Sequence, residues 1–136
     1  MMKIFQEDPT FRLLNSSLKA ASLRHNTISN NIANVNTPNY KRQLVSFEDQ
    51  LKSNLKNEKS PVKLRRTHPR HIGLEKEISQ PQVIQDNSTS LRTDGNNVDI
   101  DMEVALLNEN TMRYNTLAQI ISKKMSMLSS VIKGGR

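Results

Sequence analysis

Cysteine and tryptophan are absent from the chain, and its 136 residues include only three Phe and two Tyr. Without a thiol there is no disulfide and no thiolate metal site. So few aromatics argue against the apolar, aromatic-lined pocket of a small-molecule enzyme. No run approaches the roughly 20 apolar residues of a membrane span. The first residues, Met1 to Pro9, lack the apolar core of a Sec signal peptide, because Glu7, Asp8 and Pro9 interrupt it. Export, if it occurs, is therefore expected without a cleaved signal of that kind. A cysteine-free chain suits unfolded passage through an export channel, and equally suits a cytosolic protein. Acidic residues are also scarce: 13 Asp and Glu face 20 Lys and Arg, a net charge of +7. That balance permits nucleic acid, an acidic membrane surface or an acidic protein as partner without choosing among them. The basic residues are spread out, and only Lys63 to Arg70 forms a local cluster.

What the chain has is two heptad segments, one at each end. Phe11, Leu14, Leu18, Ala21, Ile28, Ile32 and Val35 recur at alternating steps of three and four, with His25 in the one gap. Val104, Leu107, Tyr114, Ala118, Ile121, Met125, Leu128 and Ile132 do the same, with Thr111 completing the register. Such steps keep side chains on one helix face, and a sustained repeat of seven suits coiled-coil packing. The pattern predicts helices over 10–36 and 99–133. Thr10 is expected to cap the first, and Asp99 or Asp101 the second. Pro38 stops the first helix and Gly134-Gly135 ends the second. His25, at a core position, reads as a polar interruption that helps set register.

The polar face of the first helix is rich in Asn and Ser, which compete for backbone hydrogen bonds, so this helix is expected to be weak until it finds partners. The second carries another apolar stripe, Leu106, Leu117, Ile120, Met127 and Val131, which predicts contact on two sides.

Between them, residues 37–98 form a linker. Residues 37–45 read as a turn and an extended link. Ser46-Phe47-Glu48-Asp49 is a capping signature, and Phe47, Leu51 and Leu55 follow at steps of four, predicting a short helix over 46–57. Val62, Leu64 and Thr67 read as a short strand, with further extended pieces at Leu74 to Ile78 and at Val83 to Ile84. Asp94-Gly95-Asn96-Asn97 is a turn in a polar loop. The fold class is thus mainly α, a single assembly domain over 1–136. Two long terminal helices pack as an antiparallel coiled-coil pair, with a short helix and a small irregular or β middle.

Sharper chemical readings fare poorly. Asp94, Asn96, Asp99, Asp101 and Glu103 miss the calcium-loop spacing, since Val98 falls at position 5 and Asp99 at position 6. His68 and His71 are separated by Pro69-Arg70 and have no third ligand nearby, so zinc is disfavoured. The basic segment of Lys63, Arg65, Arg66 and Arg70 has no interleaved aromatic to stack on bases. No phosphate loop, nucleophile constellation or paired carboxylate is recognisable. No enzyme, cofactor or metal is expected.

The segment Ser29-Asn30-Asn31-Ile32-Ala33-Asn34-Val35-Asn36-Thr37-Pro38-Asn39-Tyr40-Lys41 resembles the signature of the bacterial flagellar rod, hook and hook-associated axial proteins. Their pattern is N-N-[IL]-A-N-x-x-T-P-G-[YF]-[KR], matched here through Asn30, Asn31, Ile32, Ala33, Asn34, Thr37, Pro38 and Tyr40. Asn39 replaces the usual Gly, and Asn tolerates positive φ best among ordinary residues. Asp94 to Glu103 followed by Asn110 to Tyr114 resembles the start of the C-terminal helix in the short proximal rod proteins. Thr67-His68-Pro69-Arg70-His71-Ile72 is similar to their middle segment.

The resemblance implies a subunit of the proximal rod of the flagellar basal body, in the periplasm or cell envelope. It implies terminal helices assembled into a hollow, torque-transmitting rod, with copies of the chain and other rod and basal-body proteins as partners. It also implies handling by the flagellar export apparatus; no nucleic acid is expected. The residues read on their own favour a structural role for the helix end, with Leu14, Leu18, Ile28 and Ile32 packing against Leu107, Tyr114, Ile121, Met125 and Leu128. The runner-up is a small basic helical protein that binds nucleic acid or regulates.

Overall fold

The computed structural model describes residues 8–56, 80–87 and 93–134. The predicted strand at Val62 to Thr67, the extended piece at Leu74 to Ile78, the His68/His71 pair and the basic cluster lie outside them. Helix α1 spans Pro9–Ala33, strand β1 Gln43–Ser46, helix α2 Glu48–Lys56, strand β2 Gln82–Gln85 and helix α3 Ile100–Ile132.

The N-cap of α1 is Asp8 rather than the expected Thr10. The Asp8 carboxylate accepts from the Thr10 backbone N–H at 2.9 Å, and Pro9 takes the first helical position. Proline suits that place because its missing N–H would have no intrahelical partner. Asp99 caps α3, accepting from Asp101 and Met102. Gly134, at φ +79°, closes the helix end in the left-handed conformation. Helix α2 starts one residue later than a Ser46 cap requires: Ser46 stays in β1, and the Phe47 carbonyl accepts from Leu51 N–H. Phe47 itself is buried.

The two long helices run antiparallel. Lys124 pairs with Asp8, Asn110 reaches Ala21, and Glu103 reaches Asn31, so numbers rise along one helix as they fall along the other. On α1 the face turned inward carries Ala20, Ala21, Thr27, Ile28 and Asn31, all buried. His25 is exposed, a correction to its predicted core position. On α3 the seam runs through Glu103, Leu107, Asn110, Leu117, Ile121, Lys124 and Leu128, all buried or half-buried. This keeps Leu107, Ala118, Ile121 and Leu128 from the predicted register but moves the positions of Val104, Thr111 and Met125 back by one residue. Val104 and Met125, placed in the seam by the apolar pattern, are 45% and 39% exposed. Tyr114 is 40% exposed and Thr111 is exposed as well. Two of the displaced positions go to Glu103 and Asn110, each of which makes a hydrogen bond across the helix pair, and a pattern of apolar residues cannot register them.

Strands β1 and β2 form an antiparallel ribbon, with Gln43 opposite Gln85 and Ser46 opposite Gln82. The Asp86 N–H to Arg42 carbonyl bond extends the pairing by one step. The ribbon sits at the end of the hairpin where α1 stops and α3 begins.

Candidate assembly site

The end of α1 is shaped by three asparagines from two distant segments. Asn31 is fully buried on the last turn. Its side-chain amide accepts from Gln43 N–H (3.0 Å) and the Tyr40 hydroxyl (3.2 Å), and donates to the Gln43 carbonyl (2.8 Å) and Glu103 Oε2 (3.1 Å). All four hydrogen-bonding positions of the amide are used. Toward Gln43 it behaves as a strand partner, pairing with both backbone groups of the first residue of β1.

Glu103, 1% exposed, completes the cluster: Oε1 accepts from Arg42 Nε while Oε2 accepts from Asn31. A carboxylate this deeply buried is tolerated because both oxygens are paired, one with a charged guanidinium. Burial, and behind it the charge of Glu103, push the Tyr40 phenol above its ordinary pKa.

Asn96 is also fully buried. Its amide nitrogen faces the carbonyls of Asn34, Val35 and Thr37 at 3.3, 3.0 and 3.2 Å, and its oxygen accepts from Val98 N–H at 2.7 Å. The carbonyls left over where α1 ends thus find a donor 60 residues away in sequence. Asn97 bridges Arg42 N–H and the Asp86 carbonyl. Lys41 reaches the Gly95 carbonyl at 2.8 Å, and Asn39 N–H reaches the Asp94 carbonyl at 2.9 Å. Asn39 and Gly95 both hold positive φ, +61° and +82°. A Cβ on Gly95 would lie 2.6 Å from Asn39 Oδ1, so the two turns touch where only glycine fits.

The signature residues divide between burial and exposure. Asn34 is the C-cap, donating to the Asn30 carbonyl from both backbone and side chain; Thr37 Oγ1 donates to Asn34 Oδ1. Ile32 is half-buried, while Asn30, Ala33, Thr37 and Pro38 are exposed. Leu14 and Leu18 are half-buried and Ile28 is buried. The sequence pattern left Arg42 unmarked, read Asn96 and Asn97 as turn residues, and brought Asn96 and Glu103 forward only as members of a disfavoured calcium loop and of the family resemblance. The one available signal was Asn96-Asn97 between a glycine turn and a helix cap.

A second polar group ties α2 in. Arg24 donates to both oxygens of Glu48 at 2.7 Å, and Arg113 lies 3.5 Å from Glu48. Burial pushes the Glu48 carboxyl up, but hydrogen bonding from Arg24, its own backbone N–H and both arginine charges outweigh this and hold it below its usual value. Asp8 is likewise lowered, chiefly by its hydrogen bond to Lys124. Among the described residues no group of three His, Asp or Glu side chains is placed to hold a metal, and no helix is long and apolar enough to cross a membrane.

A mainly helical chain whose clasp is built on the axial signature belongs with the flagellar rod proteins, and comparison bears this out. Residues 11–41 match the family model "Flagella basal body rod protein". The chain is 34% identical over 127 residues to the flagellar basal body rod protein FlgB of Bacillus subtilis, covering 93% of this chain and 95% of that one. It is 35% identical over 121 residues to FlgB of Borreliella burgdorferi, covering 85% and 90%. To FlgB of Aquifex aeolicus it is 30% identical over 112 residues, covering 82% of each. The chain belongs to the FlgB family of flagellar basal body rod proteins.

Proposed function

We propose that this chain is a structural subunit of the proximal rod, building with its two terminal helices the wall of a hollow shaft that transmits torque. The observation that carries this reading is the match to FlgB of Bacillus subtilis over 93% of the chain. The clasp gives it a physical basis. Asn31, Tyr40 and Arg42, from the signature and the residues just after it, bond to Gln43 and Glu103, so the signature sets the angle at which the linker leaves the helix pair. The side chains that do this serve as struts, with no reacting group among them, which fits a non-enzymatic role.

Copies of itself and other rod and basal-body proteins are the partners, and the basal body is the location. Delivery by the flagellar export apparatus, in an unfolded state, completes the proposal. The nucleic-acid alternative draws no support from the relatives named above, which are rod proteins.

Deleting the gene and returning a tagged copy tests the reading. Flagella are expected to be lost, then restored, with the tagged protein in purified basal bodies. Normal flagella in the deletion strain overturn it.

A further inference from the structure

Near its end, α3 carries an apolar line that the helix pair does not use. Ile120, Met127 and Val131 follow at steps of seven and four, so they share one face, and they are 46%, 55% and 77% exposed. Lys123 and Lys124 flank the line, each three residues from one of Ile120 and Met127 and four from the other. Exposed Lys133 caps the helix just beyond Val131. The seam with α1 runs through half-buried Leu117, Ile121 and Leu128, so this line lies beside the seam, on a side that α1 leaves open.

The charge around it has one sign. Among the described residues, the end of the hairpin built from residues 8–20 and 116–134 carries Arg12, Lys19, Lys123, Lys124 and Lys133 against Asp8 alone, and Asp8 is already paired with Lys124. Two such ends repel each other, so whatever covers this surface must bring negative charge and apolar depth together. A protein face does so only with carboxylates placed to match. An anionic bilayer does so at every point, with phosphates at its surface and acyl chains just beneath. A narrow apolar line between lysines suits that boundary, because lysine stems lie along apolar surface while their ammonium groups stay in the polar layer. Among the described residues no helix is long and apolar enough to cross a membrane, so the contact is with the surface.

We propose that residues 120–133 of α3 bind the surface of an anionic phospholipid bilayer, with Ile120, Met127 and Val131 turned into the headgroup boundary and Lys123 and Lys133 set against the phosphates. The contact is one that the single chain makes. It goes beyond the rod reading, which does not require it.

Co-sedimentation of the purified full chain with vesicles tests it. The chain is expected to bind vesicles of phosphatidylglycerol and phosphatidylcholine, to bind vesicles of phosphatidylcholine alone at least about tenfold more weakly, and to dissociate as salt rises and the Debye length shortens. A cation near an anionic surface strengthens binding about fivefold, so Lys123→Gln/Lys133→Gln is expected to lose about 20-fold. Lys52→Gln, which removes an exposed charge from α2, is expected to stay within about twofold of the parent. Met127→Asp, at an exposed site, is expected to weaken binding about tenfold or more with the thermal melt unchanged. The chain has no tryptophan, so Val131→Trp places a single emitter on the line, and its fluorescence is expected to shift to the blue on anionic vesicles. Equal binding to both kinds of vesicle, a loss in Lys52→Gln as large as in the lysine pair, unchanged binding by Met127→Asp, or an unshifted emission from the bound chain would each overturn the proposal. Binding to a short DNA duplex that Met127→Asp leaves intact and anionic vesicles do not compete would overturn it as well, and would assign the patch to nucleic acid. A chain that ignores vesicles yet occupies basal bodies leaves the rod reading intact; one that binds them yet is absent from basal bodies removes that reading alone.

Discussion

The residue that joins most of the molecule is Asn31, because its amide is saturated from three directions while fully buried. Asn31→Ala would strand the Gln43 N–H and carbonyl and one oxygen of Glu103. Unsatisfied buried groups cost about 1–3 kcal/mol each, more when charged, so a loss of about 3 kcal/mol or more is expected from urea denaturation. Asn31→Asp should be at least as damaging, since a second carboxylate would face Glu103. Glycine 95 makes a separate case. Gly95→Ala is expected to cost about 1–2 kcal/mol, partly from its φ of +82° and partly from the close approach to Asn39. Asn39→Gly in the same chain removes the side chain in the way but leaves the strained φ, so it should recover part of the loss and no more. Full recovery in the double variant would show that the turn conformation carries no strain. The signature letters therefore had two meanings in the sequence. Asn34, Thr37 and Pro38 could be read locally as a helix ending, whereas the partners of Asn31 lie at positions 40, 43 and 103, and no spacing rule links those.

At the scale of elements, the heptads foretold the antiparallel pair, and half of the α3 seam with it. Leu107, Ile121 and Leu128 were legible because they are apolar and recur at seven. Glu103 and Asn110 were not, because their inward position depends on what faces them: Asn31 and Arg42 for one, the Ala21 carbonyl for the other. The small Ala20 and Ala21 leave space for an asparagine where a larger residue would fill the seam. Asn110 Oδ1 is buried with no donor. Asn110→Leu is therefore expected to raise the melting temperature by a few degrees, removing an unpaired carbonyl worth about 1 kcal/mol or more, while weakening the polar pin that selects register. A lower melting temperature would show that the Ala21 bond outweighs the unpaired oxygen. The attachment of α2 brings a pH dependence. Because the folded pKa of Glu48 is depressed below its usual 4.5, the Arg24 pair contributes above that value and its contribution disappears as pH falls through the folded pKa. Melts of the parent and of Glu48→Gln should differ at neutral pH and converge as pH falls below 4.5. Parallel curves would show that the pair contributes nothing.

For the molecule as a whole, the question is whether the hairpin is one cooperative unit whose integrity the rod requires. Polar groups join the sheet end to α3, through the Asn31–Glu103–Arg42 cluster and the Glu48–Arg24–Arg113 group, while Asn96 and Asn97 tie the segment before α3 to the end of α1 and to the ribbon. Beyond Asn110 the pairing of α1 with α3 rests on half-buried apolar residues, Leu117, Ile121 and Leu128, closed by Asp8 with Lys124. Ile121 lies in the middle of that stretch. Ile121→Asp would remove a side chain worth about 1.5–3 kcal/mol when fully buried and place a carboxylate in the seam. Its helices should separate over the far half while the polar clasp holds the near half. Hydrogen exchange should then rise at residues 9–20 and 116–132 with protection kept around Asn31 and Glu103. On the proposed reading, in which the wall is built from both helices paired along their length, the same variant should leave cells non-motile and its tagged form absent from basal bodies. Val131→Asp separates the two demands: at 77% exposure it should leave the hairpin's exchange pattern unchanged, so any assembly defect it produces belongs to contact between copies. A motile Ile121→Asp strain with normal rods would mean that the far half of the hairpin is dispensable to the wall.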